Sequence, residues 1–182
     1  MSVLAEEELF VAAERGRIWP VFEDAASLAR VLPGCERLEA AGPATYRGVL
    51  ATKLQFLTIR ADVTASLTDL HPPDHLQLEL DGRPRGLTGG FRAIIPIDLV
   101  ADASGTRIRY RLELTTSGRL ASFGAPLLRD SFRRQVAMLV ANLERELGRP
   151  DDAESDESGP DDAGPADAGP GGHRPGATAD AG

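Results

Sequence analysis

The 182-residue chain predicts an α+β fold, an antiparallel sheet covered on one face by one long C-terminal helix. Three observations carry this. Between Tyr46 and Thr116 apolar residues recur at every second position, the period of a half-buried strand. Residues 120–147 carry apolar side chains at helical spacing instead. Only two short segments near the start, besides that helix, have a helical pattern, so the long helix alone can cover the sheet.

The elements follow in order. Residues 3–12 fit a first strand, with Leu9 and Val11 on one face and Phe10 on the other. RIWPVFED (17–24) and ASLARVL (26–32) read as two short helices. Ile18, Trp19 and Phe22 recur at helical spacing, as do Leu28, Val31 and Leu32. Pro20 is expected in the first turn of its helix. Pro33 and Gly34 stop the second helix and turn the chain toward a strand.

A strand-rich middle of about six strands follows. YRGVLATKLQFL (46–57) comes first. In 58–70, Ile59, Ala61, Val63, Ala65 and Leu67 alternate with polar residues. His71–Asp74 is a turn, and Leu76, Leu78 and Leu80 share a face of the next strand. GRPRGLTGG (82–90) connects to a strand whose face holds Phe91, Ala93, Ile95, Ile97 and Leu99. After the turn at 101–106, Ile108, Tyr110, Leu112 and Leu114 oppose Arg107, Arg109, Arg111 and Glu113. In the final helix Phe132, Val136, Leu139, Val140 and Leu143 form the apolar stripe, and Pro126 marks a bend or the start of the regular helix.

From residue 150 the sequence has no aromatic residue, Leu, Ile or Val, and cannot bury enough apolar surface to fold. The expected division is therefore a folded domain over 1–149 and a disordered acidic tail over 150–182. The tail holds nine acids and one arginine, whereas the domain holds nineteen acids and nineteen Lys or Arg. The balanced domain gives no signal for nucleic acid. A single cysteine excludes an internal disulfide and fits a reducing compartment. The first residues lack the basic start and apolar run of a secretion signal, and no stretch approaches the ~20 apolar residues of a membrane-spanning helix.

The candidate chemistry is sparse. Cys35 follows a helix C-terminus, where the dipole disfavours a thiolate, and Glu36 beside it acts in the same sense. A structural or cavity-facing role is expected. His71 and His75 flank a Pro-Pro turn, where four-residue spacing does not enforce convergence, and no metal site is expected. His173 falls in the tail. No Ser-His-Asp or HExxH pattern occurs. Arg83, Arg85, Gly86, Leu87, Gly89 and Gly90 match neither phosphate-binding fingerprint; they read as a sheet bend or bulge and, secondarily, as the flexible mouth of a cavity. Trp19 and Phe22 are core residues first and ligand contacts second. The helix stripe of Phe132, Val136, Leu139 and Val140 serves as core and also as the wall of an apolar cavity under a curved sheet. Leu32, Val63, Leu78 and Phe91 complete that candidate wall.

FVAAERGRIWPVFED, ARVLPGCERLE, TIRADVTASLTDLHPPDHLQLEL, the glycine-rich segment ending in GGF and the terminal helix together resemble the CoxG-like family of carbon monoxide dehydrogenase subunits, within the START-like (SRPBCC) helix-grip superfamily. The resemblance spans about residues 3–147. It implies a seven-stranded antiparallel sheet gripping the C-terminal helix around a cavity. It further implies a non-catalytic accessory protein with no tightly bound cofactor, whose cargo is a lipid or a respiratory quinone such as menaquinone or ubiquinone. The implied partner is a molybdenum-containing oxidoreductase, and the implied location is cytoplasmic, peripheral at the inner face of the membrane. Tyr46, Thr52 and Tyr110 are then the candidates to hydrogen-bond a quinone head. An assembly factor working by protein contact alone, or a cyclase- or hydrolase-like enzyme, are the alternative readings. Two features depart from the family pattern: the 82–90 connection is richer in arginine, and the acidic tail would be repelled by an anionic bilayer. Membrane contact is therefore expected through the cavity mouth rather than the tail.

Overall fold

The computed structural model describes residues 2–148. The expected tail over 150–182, with His173, lies outside them. The elements are β1 (Ser2–Val11), α1 (Arg15–Glu23), α2 (Ala25–Val31), β2 (Cys35–Gly42), β3 (Thr45–Leu54), β4 (Leu57–His71), β5 (His75–Pro84), β6 (Phe91–Asp102), β7 (Gly105–Thr116), a 3₁₀ turn (Gly118–Phe123) and α3 (Ala125–Leu147). The seven strands form one sheet in the order β1-β7-β6-β5-β4-β3-β2, every neighbouring pair antiparallel. β2 to β7 make a meander, and β1 closes onto β7. The two short helices therefore carry the chain from one edge of the sheet to the other.

Alternation decides which face α3 covers. On β4, Ala61, Val63, Ala65 and Leu67 are buried, and on β7 Thr106, Ile108, Tyr110 and Leu112 are buried. The intervening charges lie on the outer face and pair with neighbours: Arg109 with Glu8 at 2.6 Å and Arg111 with Glu6 at 3.1 Å across strands, and Asp62 with Arg85, just past β5, at 2.6 Å. Exposed pairs of this kind contribute little stability, but they fix register and keep the wet face soluble.

Several local details differ from the sequence reading. α1 begins at Arg15, so Pro20 sits beyond the first turn rather than within it. Pro20 and Gly16 are both exposed, so the Gly16 carbonyl that proline leaves without its helical donor is not buried. α2 is capped by Asp24, whose carboxylate accepts from the Ser27 N–H at 2.7 Å. Residues 118–123 form a separate 3₁₀ turn, and α3 starts with Pro126 in its first turn, where proline costs nothing.

α3 is held along its length by polar contacts that its stripe does not reveal. Arg129 donates to the Leu4 carbonyl at 2.7 Å, Asn142 to the Val31 carbonyl at 3.1 Å, and Arg30 pairs with Glu146 at 2.6 Å. Near its end the Glu144 carboxylate accepts from the Ala12 N–H at 3.1 Å. Among the described residues no helix is long and apolar enough to cross a membrane.

Candidate functional site

The space between the sheet and α3 divides into two parts. At one end Ile18, Trp19, Val21, Leu28 and Val31 of the short helices fill it, packed with Tyr46, Leu67, Leu76, Leu99, Ile108 and Leu143. At the other end, where β3, β5 and β7 finish, no helix is inserted and a cavity of about 200 Å³ remains. Leu50, Thr52 and Leu54 of β3, Ile59, Ala61 and Val63 of β4, Leu80 and Pro84 of β5, Phe91, Ala93 and Ile95 of β6, and Leu112, Leu114 and Thr116 of β7 line it. Leu4 of β1, Leu120 of the 3₁₀ turn and Leu128, Ser131, Phe132 and Gln135 of α3 close it. No charged side chain belongs to this wall.

Gly82 and Phe91 show how the wall is shaped. They lie opposite each other on β5 and β6, and a Cβ on Gly82 would come within 2.1 Å of the Phe91 ring. The glycine thus lets an aromatic ring lie across the strand at the edge of the cavity.

The structure separates the candidate wall residues of the sequence reading. Thr52, Val63, Phe91 and Phe132 line the cavity. Trp19, Phe22, Leu32, Tyr46, Leu139 and Val140 do not; they pack in the filled end because the short helices occupy it. Leu78 packs against both core clusters, and Tyr110 and Val136 belong to the cluster beside the cavity. The two tyrosine hydroxyls are engaged elsewhere. Tyr46 donates to the Phe22 carbonyl at 2.8 Å, and Tyr110 donates to Glu7 at 3.1 Å while its ring meets Phe132 edge-on at 5.7 Å. Burial and the neighbouring Glu7 carboxylate push the Tyr110 hydroxyl far above the usual phenol range, so it stays protonated.

None of the six connection residues lines the cavity wall, although Pro84 beside them does. Arg83, Arg85, Gly89 and Gly90 border a wider charged trough of about 1110 Å³ instead. It also takes in Asp62, Asp81 and Arg92, whose ion pairs suit water rather than an apolar guest. Gly86 is exposed at φ +78 and Leu87 is half-buried. The connection is tied to the 3₁₀ segment, with Arg119 N–H donating to the Thr88 carbonyl at 3.0 Å and Ser117 N–H to the Gly90 carbonyl at 2.9 Å. It borders the end of the sheet at which the cavity lies.

The remaining suspects take structural places. Cys35 opens β2 opposite Leu50, half-buried, and burial pushes its thiol up, away from a reactive thiolate. His71 and His75 come closer than their turn suggested, with ring centroids 6.1 Å apart and the Asp69 carboxylate beside both; His75 also bonds Asp98 at 2.6 Å. Among the described residues no group of three or more His, Cys, Asp or Glu is placed to hold a metal ion.

The family model for the CoxG subunit of carbon monoxide dehydrogenase matches residues 8–148. The chain belongs to this family. The match runs from the last residues of β1 to the end of α3 and so includes every cavity-lining residue of this CoxG-family chain except Leu4. Among solved structures, a conserved protein from Geobacillus kaustophilus superposes with a TM-score of 0.70 at 21% identity, over 77% of this chain and 91% of that one. A START superfamily protein from Mycobacterium smegmatis gives 0.58 at 12% identity, over 79% and 95%. The protein Ara h 8.0201 gives 0.56 at 15% identity, over 80% and 97%. These likenesses establish the helix-grip fold. No curated protein matches the chain in sequence.

Sequence reasoning missed Ser131 and Gln135. They stand next to Asp130 and Arg134, so in the sequence they merge with the charged outer face of α3. Their spacing from Leu128 and Phe132 places them on the covered face, where a neutral polar residue carries more information than another leucine.

Proposed function

We propose that this CoxG-family chain is a non-catalytic carrier of an apolar small molecule, a lipid or respiratory quinone, serving a molybdenum-containing oxidoreductase of the carbon monoxide dehydrogenase type. The observation that carries the reading is the uncharged apolar cavity between the sheet and α3. The family supports the choice of partner. An apolar guest gains roughly 25 cal/mol per Å² of surface removed from water, before ordering costs.

The size of the cavity bears on how such cargo is held. An engineered apolar cavity of about 150 Å³ takes up benzene. A space of about 200 Å³ therefore encloses one ring-sized group, and a long chain attached to it projects through the mouth. The mouth end suits contact with a bilayer. Phe56 at the β3–β4 turn is 88% exposed and Leu57 beside it is exposed as well. Lys53, Arg83 and Arg119, at the same end of the sheet, have no acidic partner among the described residues. At the opposite end the acids are partnered, Asp74 by Arg15 and Asp102 by Arg107 at 2.5 Å. Unpaired cations beside the exposed Phe56 favour contact of the mouth with an anionic lipid surface.

Native mass spectrometry of the gently extracted protein tests the carrier reading. A bound lipid or quinone is the expected result. Empty protein that also binds no member of a quinone panel would sink it. Flotation with anionic vesicles checks the surface contact, which Phe56→Ser is expected to weaken several-fold. Retrieval of a molybdenum-containing enzyme on the immobilised full chain checks the partner.

A further inference from the structure

Four cavity-wall residues have polar side chains, and three of them stand together. Ser131 and Gln135 lie four residues apart on α3, hence on one helix face, and both reach toward β3. Gln135 Nε2 donates to Thr52 Oγ1 at 3.3 Å, and Ser131 Oγ donates to the Lys53 carbonyl at 3.4 Å. Thr116, the fourth, is on β7, four strands from β3. The polar groups are thus gathered on one side of an otherwise apolar wall.

Their hydrogen-bonding capacity is only partly used. A glutamine amide offers two N–H donors and one acceptor oxygen, and a threonine hydroxyl both donates and accepts. The bond between them occupies one Gln135 N–H and a lone pair of Thr52. The Thr52 O–H, the second Gln135 N–H and Gln135 Oε1 are left to serve a guest. The existing bonds are long for their type, so a ligand oxygen placed between the two side chains can replace them with shorter ones. No cation lines the cavity to neutralise a buried anion.

We propose that Thr52, Ser131 and Gln135 form a neutral polar subsite that selects an apolar ligand carrying an uncharged oxygen, a hydroxyl or carbonyl, over its hydrocarbon and its anionic counterparts. The inference rests on the ligand-cavity reading above and deepens it. A pure hydrocarbon covers the half-buried Thr52 and Gln135 side chains without bonding to them. A carboxylate brings a charge that nothing in the wall offsets. The selected molecule places its ring or short apolar segment against Phe91 and Phe132 and its oxygen between β3 and α3.

Three probes with one ring framework test this: naphthalene, 1-naphthol and 1-naphthoate, titrated calorimetrically onto the full chain at neutral pH. The expected order has 1-naphthol binding roughly tenfold tighter than naphthalene, the net worth of one neutral hydrogen bond, and 1-naphthoate weakest. Gln135→Leu and the nearly isosteric Thr52→Val should each erase most of the naphthol preference while naphthalene affinity is kept or improved. Equal affinity of naphthol and naphthalene for the unaltered chain overturns the subsite and leaves the cavity reading intact. So does a preference that survives the double variant, or naphthoate binding best. Failure of all three probes to bind overturns the cavity reading and the subsite with it.

Discussion

Leu76 and Leu80 lie on the same face of the same strand, four residues apart, yet only one of them borders empty space. Leu76 is fully buried in the cluster that α1 and α2 complete. Leu80 is half-buried, touches both core clusters and lines the hollow. Sheet and α3 are continuous past both, so neither makes the difference. The excursion between β1 and β2 makes it. Two short helices fill one end of the grip, and the cavity is the part they do not reach. Stability and binding are thereby assigned to opposite ends of one interface, which can be altered separately.

The largest expected effect is at the filled end. Leu76→Ala should destabilise by about 3–4 kcal/mol, since the close-packed surroundings cannot collapse into the space. Leu80→Ala should cost about 1–2 kcal/mol, because its side chain already borders empty volume. Urea denaturation of both variants measures the contrast, and equal losses would show that the two ends are packed alike. Gly34→Ala comes next. Gly34 joins α2 to β2 at φ +67, with the Ala51 carbonyl oxygen 1.9 Å from where a Cβ would stand, and its own carbonyl accepts from the Ala51 N–H at 2.8 Å. Backbone strain and backbone contact together should cost roughly 2–3 kcal/mol. At the hollow end the effect moves from stability to binding. Ala61→Leu fills the wall from β4 and should lower 1-naphthol affinity at least tenfold, about 1.4 kcal/mol, with the melting temperature unchanged or raised.

How much of this was legible follows the same division. The long alternating strands and α3 showed in the sequence because each buries one face, and periodicity reports burial. β2 had no such signal: CERLEAAG is an edge strand with most of its side chains exposed, so nothing in it alternates. The apolar stripe of α3 was visible, but its partition between core and cavity was not. Trp19 and Phe132 look equally suited to a ligand, and only the position of α1 in space separates them. Tyr46 and Tyr110 seemed natural hydrogen-bond donors because their local sequence cannot show that a backbone carbonyl and Glu7 already accept from them. The polar pair on α3 had a local signal, two neutral polar residues inside an apolar stripe.

The smallest predicted effect concerns the cap of α2, one of the helices that fill the closed end. Hydrogen bonds from Ser27 hold the Asp24 carboxyl below the usual carboxylate value of 3.8. A depressed folded-state value means that the stabilisation is fully present above the unfolded value of about 3.9 and is lost as pH falls through the folded one. Asp24→Ala should therefore cost about 1 kcal/mol at neutral pH, in the usual range for a lost N-cap, and the difference from the unaltered chain should shrink as pH falls below the usual carboxylate value of 3.8. Asp24→Asn keeps an acceptor for the Ser27 N–H without the titration. It should retain most of the neutral-pH stability and flatten that part of the acid limb. Because Asp24 is far from the hollow, neither variant should change 1-naphthol affinity. A change would mean that the filled end sets the shape of the cavity as well as its boundary.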